Sequence, residues 1–250
     1  MRKLRADMLL VELGLVESRH EAQRLIMAGE VRLGPDDLVR KAGQMLPEDA
    51  PVSLGDMDRY VSRGAFKLLA AIEAFEPTLE GVVALDIGAS TGGFTDVLLR
   101  RGAAKVYAVD VGYGQLHLRL RQDPRVVCLE RTNARDLGPT LIPDPIDILV
   151  GDVSFISLRK VLPPCAPLLR PGAWIMVLVK PQFEAGREEI GKGGVVRDPV
   201  VRQRCIDEIR EFAARELGWI PHGVVPSPIT GPKGNQEFIL AFRNPDSPTS

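Results

Sequence analysis

The chain has 250 residues, 45% of them hydrophobic and 26% charged. That is the composition of one large globular domain or two modest ones, and it excludes disordered, collagen-like and disulfide-scaffold classes. Its 32 basic residues balance 33 acidic ones, so the net charge of −1 offers no bulk attraction for nucleic acid, membrane or an acidic substrate, and any RNA binding must come from local patches. Cys128, Cys165 and Cys205 are 37 and 40 residues apart, an odd number without metal-ligand spacing, which suits a reducing cytosol and implies no metal. No apolar window reaches the roughly 18 residues of a membrane span, and charges break the N-terminal apolar run too early for a secretion signal. A cytoplasmic protein with no membrane contact is expected.

Two segments of different character meet near residue 60. In the first, Asp7 to Leu13 predicts a helix ending at Gly14, and Ser18 opens a second helix as N-cap, with Glu21 completing a capping box and Gly29 closing the helix. Ala22, Leu25 and Ile26 form its apolar stripe, which leaves Arg19, Gln23 and Arg24 toward the outer face. Short strands are expected at 31–33, 38–39 and 52–54. A unit of this size, residues 1–60 with the junction, is near the lower limit for independent stability.

From residue 61 to 244 the pattern is strand, turn, helix, repeated. The runs at 82–87, 105–110, 126–130, 147–152 and 173–180 are nearly continuous in apolar residues, as strands buried on both faces are. Amphipathic stretches such as 94–101 lie between them, which predicts an α/β, doubly wound, Rossmann-like parallel sheet. A helix over 199–217 precedes two strands, 220–227 and 237–242, close enough to pair antiparallel and bring the sheet to seven strands. Residues 245–250 read as a disordered tail.

The string Asp86-Ile87-Gly88-Ala89-Ser90-Thr91-Gly92-Gly93 directly follows the first of these strands and opens a helix. Glycines there let the backbone approach a ligand, and a helix N-terminus offers free N–H groups. The spacing departs from the dinucleotide fingerprint, and the acid at the strand end disfavours a pyrophosphate but can pair with a cation such as an amino-acid ammonium. Asp110 ends the next strand 24 residues on, placed to accept hydrogen bonds from two ribose hydroxyls. Together these features resemble the cofactor loop of S-adenosylmethionine-dependent methyltransferases. Asn133 follows the third strand, where that class often contacts adenine and where an Asn can equally satisfy a local turn.

Four ionisable residues far apart in sequence are expected to converge on the carboxyl edge of the sheet, where doubly wound folds hold ligands. Asp152 and Lys180 end two strands, Glu237 begins the last one, and Lys67 lies in a helix just before the first. The set suits a hydroxyl acceptor, a poor acid that must be held in line with the methyl carbon while its proton is drawn away. Lys180 is placed nearest the reacting oxygen, as base or as orienting group, with Asp152 and Glu237 orienting and Lys67 tuning.

The order Lys67, Asp152, Lys180, Glu237 resembles the Lys-Asp-Lys-Glu tetrad of FtsJ-type ribose 2'-O-methyltransferases. The strings RYVSRGAFKL, LDIGASTGGFTD, GDVSFISLRKVLP, VKPQFEAGR, GGVVRD and GPKGNQEF together are similar to the TlyA family, proteins named as haemolysins. That resemblance implies S-adenosylmethionine as cofactor and cytidines of ribosomal RNA as substrate. Residues 5–31 resemble the small RNA-binding domain of ribosomal protein S4, although Leu33-Gly34-Pro35-Asp36-Asp37 stands where that domain usually has a short Val-Asn-Gly turn. The likeness implies RNA contacts from Arg5, Ser18, Arg19, Gln23 and Arg24. Residues 1–41 carry 8 basic against 7 acidic residues, so such binding rests on the placement of a few arginines.

Arg59 and Arg63 flank the junction, where RNA backbone or an interdomain salt bridge would use them equally well. His20, His117 and His222 fall on no strand end and read as ordinary histidines. The glycine-rich stretch 191–194 reads as a mobile loop over the substrate. Two other classes compete with the enzyme reading: a non-catalytic RNA-binding assembly factor, and the pore-forming protein that the family's name suggests, for which no spanning or basic membrane-surface segment is present.

Overall fold

The computed structural model of the chain describes every residue except 1, 17, 28, 35–36, 55–59, 232 and 247–250. Arg59, part of the acidic turn at 34–37 and most of the expected tail therefore lie outside the described residues. The chain divides into two compact units, Met1–Ser62 and Arg63–Ser250.

In the first unit the elements are β1 (Lys3–Arg5), α1 (Ala6–Glu12), α2 (Arg19–Met27), β2 (Val31–Leu33), β3 (Asp37–Leu38), β4 (Met45–Pro47) and β5 (Val52–Leu54). The helical spacing of Leu9 and Leu10 in α1 and of Ala22, Leu25 and Ile26 in α2 buries one stripe of each, closed by Leu4, Val31, Val39 and Leu46. The Ser18 hydroxyl accepts the Glu21 N–H at 3.2 Å, as expected of the cap. Gly29 takes φ +73°, and Glu30 N–H donates to the Leu25 carbonyl, the left-handed closure that glycine favours. β2 is the middle of a three-stranded antiparallel sheet, with β3 and β5 at its sides. The pairing of β1 with β4 was not expected. Each has three residues with one buried Leu, Leu4 or Leu46, too short a run to show alternation in the sequence.

The second unit runs α3 (Ala65–Phe75), β6 (Val83–Ile87), α4 (Gly93–Arg100), β7 (Lys105–Val109), α5 (Leu118–Arg121), β8 (Val126–Leu129), β9 (Ile146–Gly151), α6 (Leu158–Val161), β10 (Leu169–Val179), α7 (Pro181–Glu184), α8 (Pro199–Glu216), β11 (Ile220–Pro226) and β12 (Phe238–Arg243). Seven strands form one sheet in the order β11-β12-β10-β9-β6-β7-β8. Neighbours from β10 to β8 are parallel, and β12 is antiparallel to both β10 and β11. From β6 the chain builds outward through β7 and β8, then returns to add β9 and β10 on the other side. The carboxyl ends of β6 and β9 therefore flank the point where strand order reverses and ligands bind. Leu85, Ile87, Leu149, Ile175 and Val177 from the central strands are fully buried in the main core.

One strand begins earlier than expected. β10 starts at Leu169 rather than at residue 173: Leu169 pairs with Ile146, and the register shifts before Trp174 pairs with Ile148. Pro171 and Gly172, residue types that ordinarily mark a turn, fall within that irregularity, where a missing N–H and a φ of +69° are accommodated.

Candidate active site

Sheet register assembles the four expected residues. Ile87 of β6 pairs with Gly151 of β9, and Gly151 with Val177 of β10, so Asp152 and Lys180 leave their strands at one edge. β12 runs the other way, with Phe238 opposite Val179, and this brings Glu237, immediately before the strand, to that same edge. Lys67 reaches in from the first turn of α3. The contacts form a chain. Lys180 Nζ lies 2.6 Å from Asp152 Oδ1, an ion contact rather than a directed hydrogen bond, and donates to Ser154 Oγ at 2.7 Å. Lys67 Nζ donates to Asp152 Oδ2 at 3.0 Å and to Glu237 Oε2 at 2.7 Å.

Lys67, Lys180 and Glu237 are buried. Burial alone would push the Asp152 carboxyl up, but the attraction of Lys180 and Lys67 outweighs it and leaves that group below its ordinary value. Burial opposes the charge on Lys67, yet Asp152 and Glu237 together hold its pKa above the usual lysine value. Lys67 is thus a fixed cation between two carboxylates.

A cavity of about 420 Å3 opens beside this chain, lined among others by Gly88, Ser90, Asp110, Asn133, Asp152 and Phe155. At Gly88, φ is +78° and a Cβ would lie 2.9 Å from the Asp152 carbonyl oxygen, so only glycine lets the loop pass this close to β9. Ser90 N–H and Gly112 N–H donate to the two Asp110 oxygens at 2.8 and 2.7 Å, which fixes the carboxylate while each oxygen keeps capacity to accept a further hydroxyl. Asn133 Oδ1 caps the short helical turn after it by accepting Arg135 N–H at 3.0 Å, and the residue also lines the cavity. Gly92 caps α4 at φ +97°, Gly93 starts the helix, and the Thr91 carbonyl accepts His117 N–H, so these three shape the loop from outside the lining.

Asp86 lies deeper than its strand-end position suggested. It is fully buried and outside the cavity lining, with Thr95 Oγ1 donating to Oδ2 at 2.7 Å and Oδ1 unpartnered. Burial pushes its carboxyl up to about 7; the Thr95 bond opposes this, and repulsion from Asp152 and Asp110 adds to it. The folded chain therefore holds a proton that the unfolded chain has released between about pH 4 and pH 7, and Asp86 subtracts stability as pH rises through that window. Asp86→Asn is expected to remove this loss. Thermal midpoints of wild type and variant should diverge in the variant's favour from pH 4 to pH 8, and parallel curves would show that the carboxyl ionises normally.

A second cavity of about 340 Å3 is lined by Ser154, Phe155, Lys180, Gln182, Asn235 and Glu237, among others. Ser154 and Phe155 belong to both cavities, which therefore meet next to Lys180. Phe155 is 90% exposed at φ +64°, a conformation costly for an aromatic residue, and its ring lies 5.1 Å from that of Phe183. The sequence reading passed over it; an aromatic four residues past the end of β9, between two serines and close to Asp152, was the available signal. Asn235 holds one wall, accepting Val196 N–H and donating to the Gly194 carbonyl. The glycine stretch 191–194, read as mobile, is closed there by a bridge between Gly191 and Val195.

In the first unit, Arg5, Arg19 and Gln23 converge on Asp7, which sequence reasoning placed only as the first residue of a helix. Ser18 serves as helix cap and Arg24 stands apart, exposed in the last turn of α2. Arg63 is exposed just ahead of α3, its carbonyl accepting Phe66 N–H.

Residues 60–244 match the FtsJ-like methyltransferase family and residues 4–36 the S4 domain. The chain is 50% identical over 243 residues to the 16S/23S rRNA (cytidine-2'-O)-methyltransferase TlyA of Mycobacterium tuberculosis, covering 97% of this chain and 90% of that protein. The chain belongs to the FtsJ-like methyltransferase family, in its TlyA branch. Hemolysin A of Brachyspira hyodysenteriae is 40% identical, covering 96% of this chain and 99% of that one. A solved structure from Streptococcus thermophilus that also bears the hemolysin name superposes with a TM-score of 0.75 at 42% identity, covering 99% and 90% of the two chains. The expected methyltransferase sheet and S4-type domain are thus both present. Among the described residues no helix is long and apolar enough to cross a membrane.

Proposed function

We propose that this chain transfers a methyl group from S-adenosylmethionine to the ribose 2'-hydroxyl of a cytidine in ribosomal RNA. The observation that carries the reading is the continuous contact chain Lys180, Asp152, Lys67, Glu237 at the meeting point of two cavities. Residues 1–60 would grip RNA and residues 61–244 carry the chemistry, in the cytoplasm where ribosomal subunits are assembled. The relatives named for rRNA methylation support the substrate class.

The donor set fits the cofactor. The glycine loop at Gly88 and Ser90 gives close backbone approach, Asp110 offers a fixed carboxylate for two ribose hydroxyls, and Asn133 keeps its amide N–H groups for an adenine edge. Asp86 lies buried beneath the loop with its carboxyl pushed up to about 7, and a cationic group bound above it would favour the ionised form. The chemistry supplied there is a methyl group on a positively charged sulfur, which leaves as a neutral thioether when a nucleophile attacks in line.

The protein's task is to hold the acceptor oxygen and help it lose its proton. Lys180 stands where the cavities meet, fixed by Asp152 and Ser154, and orients the hydroxyl while stabilising the charge that builds on its oxygen. Asp152 sets the position of Lys180, while Lys67, held by Glu237, keeps Asp152 compensated. Phe155 offers a face on which a base turned out of an RNA helix can stack, a contact typically worth about 1–3 kcal/mol. Phe155→Ala is expected to raise KM for RNA about tenfold or more with cofactor affinity unchanged. An unaltered KM would remove Phe155 from substrate binding.

Purified protein, ribosomal subunits and methyl-labelled cofactor provide the direct assay. Label should enter RNA over many turnovers. Binding to RNA without turnover would instead identify an assembly factor.

A further inference from the structure

Asp7 is fully buried in the first unit, and among the described residues every hydrogen bond to its carboxylate comes from a residue the RNA reading uses. Arg5 meets it as a fork, Nε to Oδ1 and Nη2 to Oδ2, both at 3.0 Å. Arg19 Nε donates to Oδ2 at 3.0 Å and Gln23 Nε2 to the same oxygen at 2.8 Å. These four directed bonds leave Nη1 of Arg5 and both terminal nitrogens of Arg19 without a hydrogen-bond partner among the described residues. The two arginine side chains remain 41% and 54% exposed.

We infer that Asp7 is a positioning residue for RNA: it holds Arg5 and Arg19 as a preformed pair of guanidinium groups that together take one backbone phosphate. The inference rests on the reading of the N-terminal unit as the RNA-gripping one. Two guanidinium groups side by side repel each other, and one shared carboxylate offsets that repulsion while leaving a net positive charge. A free arginine loses its rotamer freedom when it meets phosphate, whereas these two lose it on folding, so less is lost on binding. A fork to a carboxylate uses only two of the five N–H groups of Arg5, so donors remain for a second anion. The bond from Arg5, aided by Gln23 and Arg19, holds the Asp7 carboxyl well below its ordinary value despite burial, so the anchor stays charged.

The proposal makes a prediction opposite in sign to charge counting. Asp7→Asn deletes a negative charge beside an RNA-binding face, so Coulomb attraction alone predicts tighter binding. Positioning predicts weaker binding, by about tenfold at fixed salt, because the asparagine amide cannot accept all four bonds and turns N–H groups toward the arginines.

The test measures the affinity of the full-length chain for purified ribosomal RNA over a salt series, with thermal midpoints as a control on folding. It compares wild type, Asp7→Asn, the double variant Arg5→Ala/Arg19→Ala, and all three changes combined. The double variant should lose affinity and flatten the salt slope, Asp7→Asn should weaken binding, and adding it to the double variant should change nothing further. Wild-type or tighter binding by Asp7→Asn, with the double variant impaired, overturns positioning. An equal loss in the double-variant background shows a merely structural role and also overturns it. Wild-type binding by the double variant instead sinks the RNA reading of this face. Should Asp7→Asn fail to fold, Asp7→Glu keeps the charge and moves the carboxylate by one methylene. Weakened binding is again expected, and wild-type affinity overturns the proposal.

Discussion

Lys180→Ala should lower the rate of methyl transfer to RNA by about a thousandfold while leaving the fold and cofactor affinity close to wild type. A group that acts on a transferring proton or on the charge developing at the acceptor oxygen typically contributes about 10²–10⁴ in rate. Under the proposed function Lys180 takes that role, because it is the one cation of the tetrad that lines the second cavity, where Glu237 is an acid, while Asp152 lines the first. The fold should tolerate the change, since Asp152 keeps Lys67 at 3.0 Å and no carboxylate is left without a cation. Single-turnover rates with saturating RNA, beside cofactor titration, separate the two effects. A loss confined to cofactor binding, or transfer within a few fold of wild type, would remove Lys180 from the reacting centre.

Lys67→Met carries the larger expected cost in stability. Asp152 and Glu237 are bridged by one ammonium, and taking it away leaves Glu237, 1% exposed, with a single long side-chain contact among the described residues, 3.5 Å from Gln182 Nε2. Removing one partner of a buried ion pair leaves an uncompensated charge, and about 3–5 kcal/mol of destabilisation is the usual result. The cation also keeps Asp152 below its ordinary value, so the variant should bind protons at the tetrad and lose less stability than wild type on acidification from neutral pH. Denaturant unfolding at two pH values measures both effects. The double change Lys67→Met/Glu237→Leu should recover part of the loss, since the orphaned carboxylate goes with the ammonium. Equal stability of Lys67→Met and wild type would mean that water, not Lys67, compensates the two acids.

The sheet was legible because parallel strands buried on both faces write themselves as continuous apolar runs, and their ends fall where the runs meet Asp110, Asp152 and Lys180. The placing of Glu237 at the same edge followed from one inference, that the last strand runs antiparallel, and its register against Val179 bears that out. Other features carried no periodic signal. β1 and β4 each depend on a single buried Leu, and the early start of β10 hides behind Pro171 and Gly172, which ordinarily mark a turn. Asp7 looked like any acid in a helix first turn, a placement the helix dipole alone would explain. Its four donors come from β1 and α2 and meet only after the two helices pack. The depth of Asp86 likewise depends on how α4 lies over β6, since Thr95 in the first turn of that helix donates to its carboxyl. Phe155 belongs to no run and takes its exposure from a backbone conformation that composition does not reveal.

The central claim is that the methyl group goes to a ribose oxygen, and the position of the methyl in the product tests it most directly. Ribosomal RNA treated with the protein and labelled cofactor should be digested and its nucleosides resolved by mass spectrometry, with alkaline hydrolysis in parallel. The account predicts 2'-O-methylcytidine and a linkage that resists alkali, absent when Lys180→Ala is used. Label recovered on a base, in RNA that alkali cleaves at every linkage, would contradict it.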